Sequence, residues 1–304
     1  MQTKHDMRAI LGEDFFKEEV RCDYLISETQ KMVWALQLDL YLVFRDICTK
    51  YNLKHWFMYG SLLGAVRHNG FIPWDDDIDV AMPRKDYDIF VKVAPKELEE
   101  PYALQSPYTY PNCYMSNVTM RNSMGTFTPK IFKHLDYNKG IPLDIFPFDF
   151  CDPEKWEEDK EKMLQHIKRC SSWMKMQNPE YLTPEMRAKC LANKTDNPLL
   201  EWEAMNRIAS NPEYNNSDYM MMKVVLDKQH LERTIIYKTE WFEKMIPHKF
   251  EKFEVEIPVC WHEVLNVRYG KDFMSYPPIQ QRGAVNDQLI VNPFIPYKEY
   301  NFND

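Results

Sequence analysis

The sequence predicts a mixed α/β chain of the α+β kind: a sheet core with N-terminal helices, a helical insertion and a mixed C-terminal segment. Three observations carry this. Leu36, Leu40, Val43, Phe44 and Ile47 follow one another at spacings of 4, 3, 1 and 3, which lines up a single apolar stripe on a helix. Between residues 53 and 150, short apolar runs alternate with turn residues, as strands do. After Cys151-Asp152-Pro153 the pattern changes to long polar-apolar segments, each with a proline at or just before its first turn, which is how helices open.

Taken in order, Glu13 to Tyr51 reads as helix, stopped by Asn52, a residue that tolerates the left-handed conformation. His55 to Tyr59 reads as a short buried strand punctuated by Gly60-Ser61, and Leu62 to His68 as a helix closed by Asn69-Gly70. Ile78 to Met82 reads as a strand ended by Pro83, and further strands are expected at Tyr102 to Gln105, Tyr114 to Met120 and Ile141 to Phe146. Helices are expected at Glu154 to Met176, Pro184 to Ala192 and Pro198 to Ser210. Phe250 to Val259, alternating Phe, Val and Ile with polar residues, reads as a hairpin; a helix through His262 to Tyr269 and an extended Pro277-Pro278 segment follow. We expect residues 1–304 to form one domain, made of an N-terminal helical segment (1–52), the core (53–150), the helical insertion (151–230) and a C-terminal segment packed on the core (231–304).

Composition bounds the function. The 46 acidic groups outnumber the 38 basic ones, for a formal charge of −8, which argues against a nucleic-acid binder. Aromatic residues make up 14% of the chain, and such a load of rings argues against disorder. Seven cysteines, odd in number and without a CxxC pair, fit reduced thiols better than a disulfide framework or a zinc site. No apolar run reaches membrane-spanning length, and the N-terminus lacks the apolar region of a signal peptide, so the expected compartment is cytoplasmic.

The chemistry concentrates between Tyr59 and Asp79. If the second half of this stretch is a strand, Asp75, Asp77 and Asp79 share a face, with neighbouring carboxylates roughly 6.5–7 Å apart, a separation that a hard divalent cation bridges. Crowded carboxylates beside Trp74 raise one another's pKa and call for a metal to neutralise them. An EF-hand frame fits poorly, because Val80 stands where glycine is needed and Asp86 where glutamate is. Gly60 allows close backbone approach, and Ser61, read as the N-cap of the next helix, adds a hydroxyl at the positive end of its dipole. Together they suggest a phosphate cradle. A phosphate site beside an aspartate metal site is what metal-assisted phosphoryl or nucleotidyl transfer needs.

Gly-Ser followed after fifteen residues by Asp-Ile-Asp-Val resembles the nucleotidyltransferase signature, and the stretch from Tyr59 to Arg84 resembles the LicD family of phosphotransferases, which also includes fukutin-like proteins. Met120-Arg121-Asn122-Ser123, the segment Ile141 to Pro147, and Arg268 to Phe273 are similar to family segments in the same order. The resemblance implies a nucleotidyltransferase-like fold and a Mg²⁺-dependent (or Mn²⁺-dependent) transfer of a phosphorylated alcohol, phosphocholine from CDP-choline by default. The implied acceptor is a hydroxyl of a cell-surface glycan, such as a teichoic-acid or lipooligosaccharide precursor; a lipid-linked acceptor would bring the enzyme to the inner membrane face. It further implies Asp77, Asp79 and Asp144 as catalytic metal ligands, joined by Asp75, with Gly60 and Ser61 at the donor phosphates. Asp144 lies in an apolar strand, where a carboxylate is costly unless paired or metal-bound. Arg67, Arg84 and Arg121 are the expected diphosphate cations, because guanidinium forks match phosphate oxygens. Tyr59, Trp74 and Tyr87 are the expected cage for a quaternary ammonium head group. Two rival readings are an Asp-x-Asp glycosyltransferase using a sugar nucleotide and a catalytically silent binding relative.

Overall fold

The structure, a computed structural model, describes residues 3–115, 117–223, 234–283 and 288–302. It is a mixed α+β fold with eight α-helices among the described residues. The N-terminal part differs from the single long helix expected. A short helix, α1 (Met7–Leu11), and a 3-10 turn (Glu13–Phe16) precede a hairpin of β1 (Glu19–Arg21) and β2 (Tyr24–Ile26), whose turn residues Cys22 and Asp23 both have positive φ. The long helix α2 (Glu28–Tyr51) starts only where Ser27 caps it, its Oγ accepting from the Gln30 N–H at 3.2 Å. Asn52 ends it in the left-handed conformation at φ 53°, as expected.

The elements around the site follow: β3 (Trp56–Phe57), α3 (Tyr59–His68), β4 (Asp79–Pro83), α4 (Arg84–Glu97), β5 (Tyr102–Gln105), β6 (Val118–Asn122), β7 (Thr126–Pro129) and β8 (Ile141–Phe150). The strand expected at Tyr114 lies four residues later, because residues 114–115 precede it in irregular chain, and β8 runs on to Phe150. The insertion helices α5 (Trp156–Lys175), α6 (Pro184–Ala192) and α7 (Pro198–Ala209) agree with the proline-opened segments. Residues 224–230 of the expected insertion lie outside the described residues. Short strands β9 (Tyr219–Met221) and β10 (Tyr237–Lys238) follow. The expected hairpin is displaced: β11 (Met245–Phe250) pairs with β12 (Phe253–Pro258), so the alternating segment supplies mainly its second strand. Helix α8 (Trp261–Tyr269) and β13 (Leu289–Asn292), which pairs with β7, complete the chain.

In the seven-stranded sheet β8 is the hub. It runs parallel to β4 and antiparallel to β6, with β3 beyond β4, β5 beyond β6, and β9 and β10 on its C-terminal end. The largest core buries α2 against this sheet through Trp34, Leu38, Tyr41, Phe44, Val80, Leu143 and Ile145. A second core under α5 and α7 is built from Trp156, Met163, Ile167, Trp202 and Met205. All seven cysteines are free. Among the described residues no helix is long and apolar enough to cross a membrane.

Candidate active site

The aspartate run is a loop, and only Asp79 belongs to a strand. The face alternation expected from Asp75 onward therefore fails, and Asp76, which it would have turned away, joins its neighbours. Asp75, Asp76 and Asp77 each offer a carboxylate oxygen within 4.8 Å of the others. Helix α2 holds this loop from below: Trp34 Nε1 and Gln30 Nε2 donate to the Asp75 carbonyl at 2.9 and 3.1 Å, and Gln37 Nε2 donates to the Asp76 carbonyl at 2.6 Å. Residues 30, 34 and 37 lie on one helix face, so a single rigid element sets the loop's position.

Gly60 allows the loop to close. A Cβ there would lie 2.5 Å from Asp75 Oδ2. Ser61 is not the N-cap expected of it. Helix α3 begins two residues earlier, and Ser61 Oγ accepts the Asp79 N–H at 2.8 Å, tying the helix to the start of β4. Across the sheet, Asp79 lies in register with Asp144 on the parallel neighbour β8. Asp144 in turn sits opposite Thr119, and Thr119 opposite Gln105. Thr119 Oγ1 and Asn117 Nδ2 both donate to Asp144 Oδ1, at 2.6 and 2.9 Å.

The electrostatics follow from this crowding. Burial, and then Asp79, Asp75, Asp76 and Asp144, push the Asp77 carboxyl well above its ordinary range. Burial and then Asp144 and Asp75 do the same to Asp79, against the pull of Arg268. Asp75 is raised by burial, and Asp76 is raised to about 6 by burial and by Asp75. Hard oxygen donors at this density fit Mg²⁺ or Mn²⁺, which would replace the protons that such a cluster otherwise holds.

The expected cations separate. Arg67 is near enough for its charge to lower the Asp75 pKa, and Nη1 donates to the Phe273 and Ser275 carbonyls at 2.9 and 3.1 Å, so it fastens the C-terminal segment beside the loop. Arg121 is on the same side of the sheet as Asp144 but buried, its Nε donating to Gln105 Oε1 at 2.8 Å and Nη1 to the Gly140 carbonyl at 3.0 Å. Arg84 is not brought to the aspartates. It sits past the far end of β4, where Nε and Nη2 form a fork on Asp149 at 2.7 and 2.9 Å.

The expected ring cage also comes apart. Tyr59 is at the site, at φ 51° immediately before Gly60, its ring edge-on to Phe146 at 5.7 Å. The Trp74 ring already carries two guanidinium groups of this chain, Arg282 at 4.8 Å and Arg67 at 5.9 Å from its centroid. Tyr87 is buried beside Arg84, with that guanidinium 5.2 Å from its ring. His55 and His68 are pushed down to about 4, both by burial first, and read as neutral packing residues.

Two site residues were missed by sequence reasoning. Asp76 was hidden by the strand assumption. Arg268, from α8, places its guanidinium 5.0 Å from the Tyr59 ring centroid and is the cation acting on Asp79. The only signal for it was its position in a segment similar to the family's.

The chain is similar in sequence to several known proteins. Over 272 residues the chain is 27% identical to the lipopolysaccharide cholinephosphotransferase LicD of Haemophilus influenzae, an overlap of 84% of this chain and 93% of that protein. An uncharacterized protein of Rickettsia typhi is 38% identical over 93 residues, 30% of this chain and 28% of its own length. An uncharacterized protein of Rickettsia prowazekii is 37% identical over 79 residues, 25% of this chain and 30% of its own. Residues 52–166, which hold Gly60, the aspartate loop and Asp144, match the LicD/FKTN/FKRP nucleotidyltransferase domain.

Proposed function

We propose that this protein is a phosphotransferase that moves phosphocholine from CDP-choline to a hydroxyl of a lipopolysaccharide-type glycan. The observation that carries this reading is the register of Asp79 with Asp144 beside the Asp75–Asp77 loop, in front of the turn at Gly60. The extent of the likeness to a cholinephosphotransferase supports the choice of transferred group and of acceptor. Asp77, Asp79 and Asp144, flanked by Asp75 and Asp76, would hold a divalent cation. When bound, that cation neutralises the diphosphate and the charge that develops on the departing phosphate.

The rest is the work of the chain. The backbone at Gly60 and Ser61 lines the approach to the phosphates, and Arg268, standing over Tyr59 near Asp79, supplies the guanidinium charge that Arg84 is too far away to give. The acceptor oxygen attacks the phosphorus farther from cytidine; the bond from that phosphorus to the bridging oxygen breaks, and CMP leaves with its electron pair. The hydroxyl proton passes to a carboxylate. Asp144 suits that role, because Thr119 and Asn117 both engage Oδ1 and hold the group in one orientation. Rigid positioning of this kind supplies much of the acceleration in phosphoryl transfer.

The test is release of CMP from CDP-choline by the purified protein with Mg²⁺ and a glycan acceptor. Release that stops on chelation and resumes with Mg²⁺ supports the proposal. Absence of release from every CDP-alcohol, with turnover of a sugar nucleotide instead, overturns it in favour of an Asp-x-Asp glycosyltransferase.

A further inference from the structure

Beside Asp144, on the side away from the Asp75–Asp77 loop, the same sheet face floors a cavity of about 170 Å³. Its floor is the row Asp144, Thr119 and Gln105, so the cavity opens from a residue of the proposed active site. Its walls include four rings, Phe127, Phe132, Tyr137 and Phe146, and the sulfur-bearing side chains of Cys113, Met115 and Met174. Among the described residues, Asp144 is the one carboxylate in the lining.

Size limits the occupant. Pockets for drug-sized ligands run from about 300 to 1,000 Å³, so this one is too small for a nucleotide or a sugar chain and suits a single small group. Hydrogen bonding narrows the choice further. Gln105 Oε1 accepts from Arg121, and Thr119 Oγ1 and Asn117 Nδ2 donate to Asp144. The Thr128 and Tyr137 hydroxyls pair with each other. A primary ammonium entering here would find an acceptor in Asp144 but not partners for all three of its N–H groups among the rings and sulfur-bearing side chains. A quaternary ammonium has no N–H to satisfy and is held by ring faces. Arg121, the guanidinium in the lining, is turned onto Gln105 and the Gly140 and Phe127 carbonyls, and its charge lies over the Tyr137 ring at 5.8 Å.

Resting on the function proposed above, we infer that this cavity is the head-group subsite, and that Phe127, Phe132 and Phe146 select a quaternary over a primary ammonium, the rings of Trp74, Tyr87 and Tyr137 being already taken by cations of this chain. Phe132 and Phe146 are half-buried and suited to substitution.

The experiment compares CDP-choline with CDP-ethanolamine, by kcat/KM, in the wild type and in Phe132→Leu and Phe146→Leu, which keep apolar bulk but remove the ring. The wild type is expected to prefer CDP-choline. Each substitution should cut that preference about tenfold by lowering the CDP-choline value, with thermal unfolding and Mg²⁺ affinity unchanged. A preference that stays the same in both variants overturns the inference. Phosphocholine binding, measured by calorimetry without turnover, separates the two readings. If the wild type releases no CMP but binds phosphocholine at least tenfold more tightly than the variants do, the subsite stands and the reaction falls. If phosphocholine binding is absent, or equal in wild type and variants, the subsite falls.

Discussion

Asp75 Oδ2 lies 2.5 Å from where a Cβ would stand on Gly60, so the aspartate loop packs against α3 at a distance that only glycine permits. The atom met is the tip of a side chain, which can swing aside. Gly64, one turn along the same helix, is different: a Cβ there would meet the Gly70 carbonyl at 2.6 Å, and backbone cannot step away. Gly60→Ala is therefore expected to fold, with a melting temperature within a few degrees of wild type, while Mg²⁺ affinity drops about tenfold or more as Asp75 leaves its neighbours. Gly64→Ala should cost about 1–3 kcal/mol of stability through overpacking. Calorimetric Mg²⁺ titration beside thermal melts checks both. Equal metal affinity in Gly60→Ala and wild type would show that the close approach does not serve the site.

The aspartate cluster has an expected sign in stability. Asp77 and Asp79 are raised well above the carboxylate range, and Asp76 is raised from 3.8 to about 6. A group whose folded pKa exceeds its unfolded one binds more protons when folded, so its contribution is present at low pH and is lost as pH rises. Without metal, stability should fall as pH climbs from about 4 through 6 and beyond. With Mg²⁺ the trend reverses, because the cation binds the deprotonated carboxylates and releases protons. Asp77→Asn removes a repelled charge, so it should raise the melting temperature of the metal-free protein, abolish the shift that Mg²⁺ gives, and abolish turnover. Melting curves across pH 5 to 8, with and without Mg²⁺, read all three effects; a metal-free protein that grows more stable toward pH 8 contradicts the assignment.

The elements written in local sequence were legible. Asn52 ended α2, and the prolines at 184 and 198 opened α6 and α7, because capping and proline geometry act within a turn. What depended on long-range partners was not. The hairpin β1–β2 is too short for alternation to register, and Gln30 and Gln37 looked like polar interruptions of an apolar helix until the loop they hold was visible. Gly60, Asp77, Asp79 and Asp144 were readable as a motif; the structure sets Asp79 in register with Asp144 and Gly60 against Asp75, while the carboxylates near enough to share an ion are Asp75, Asp76 and Asp77. Arg84 and Tyr87 lie near the motif in sequence, yet five strand residues carry them to the other end of β4. Arg268 lies far along the chain and reaches the site only through the packing of α8.

Arg268 gives a kinetic prediction. Its charge opposes the burial and the carboxylates that raise Asp79, and its guanidinium stands beside the proposed phosphate position. Arg268→Lys keeps the charge but not the fork, and should raise the donor KM with a smaller loss in kcat. Arg268→Ala should lose at least tenfold in kcat/KM, the order expected of a charge-assisted contact to phosphate. Mg²⁺ affinity should hold in Arg268→Lys and hold or rise in Arg268→Ala, where a cation has been removed beside the metal site. Steady-state kinetics with metal titration decide it; a fall in metal affinity would mean that Arg268 only shapes the loop.

Arg84, which the sequence places among the expected phosphate cations, gives the opposite expectation. Burial works against its charge, and Asp149 outweighs that effect, holding the guanidinium proton more firmly than usual. Asp149 is 1% exposed at its side chain, so removing the arginine strands a buried carboxylate. Breaking such a pair from one side costs about 3–5 kcal/mol. Arg84→Gln should therefore shift the denaturant midpoint sharply downward while the donor KM of the folded fraction stays at the wild-type value, because β4 separates the pair from the aspartates. Asp149→Asn should destabilise less, as its amide is neutral and still offers Arg84 an acceptor. A large rise in donor KM with stability intact would return Arg84 to the phosphate site, and would require the face beyond β4 to close over the donor.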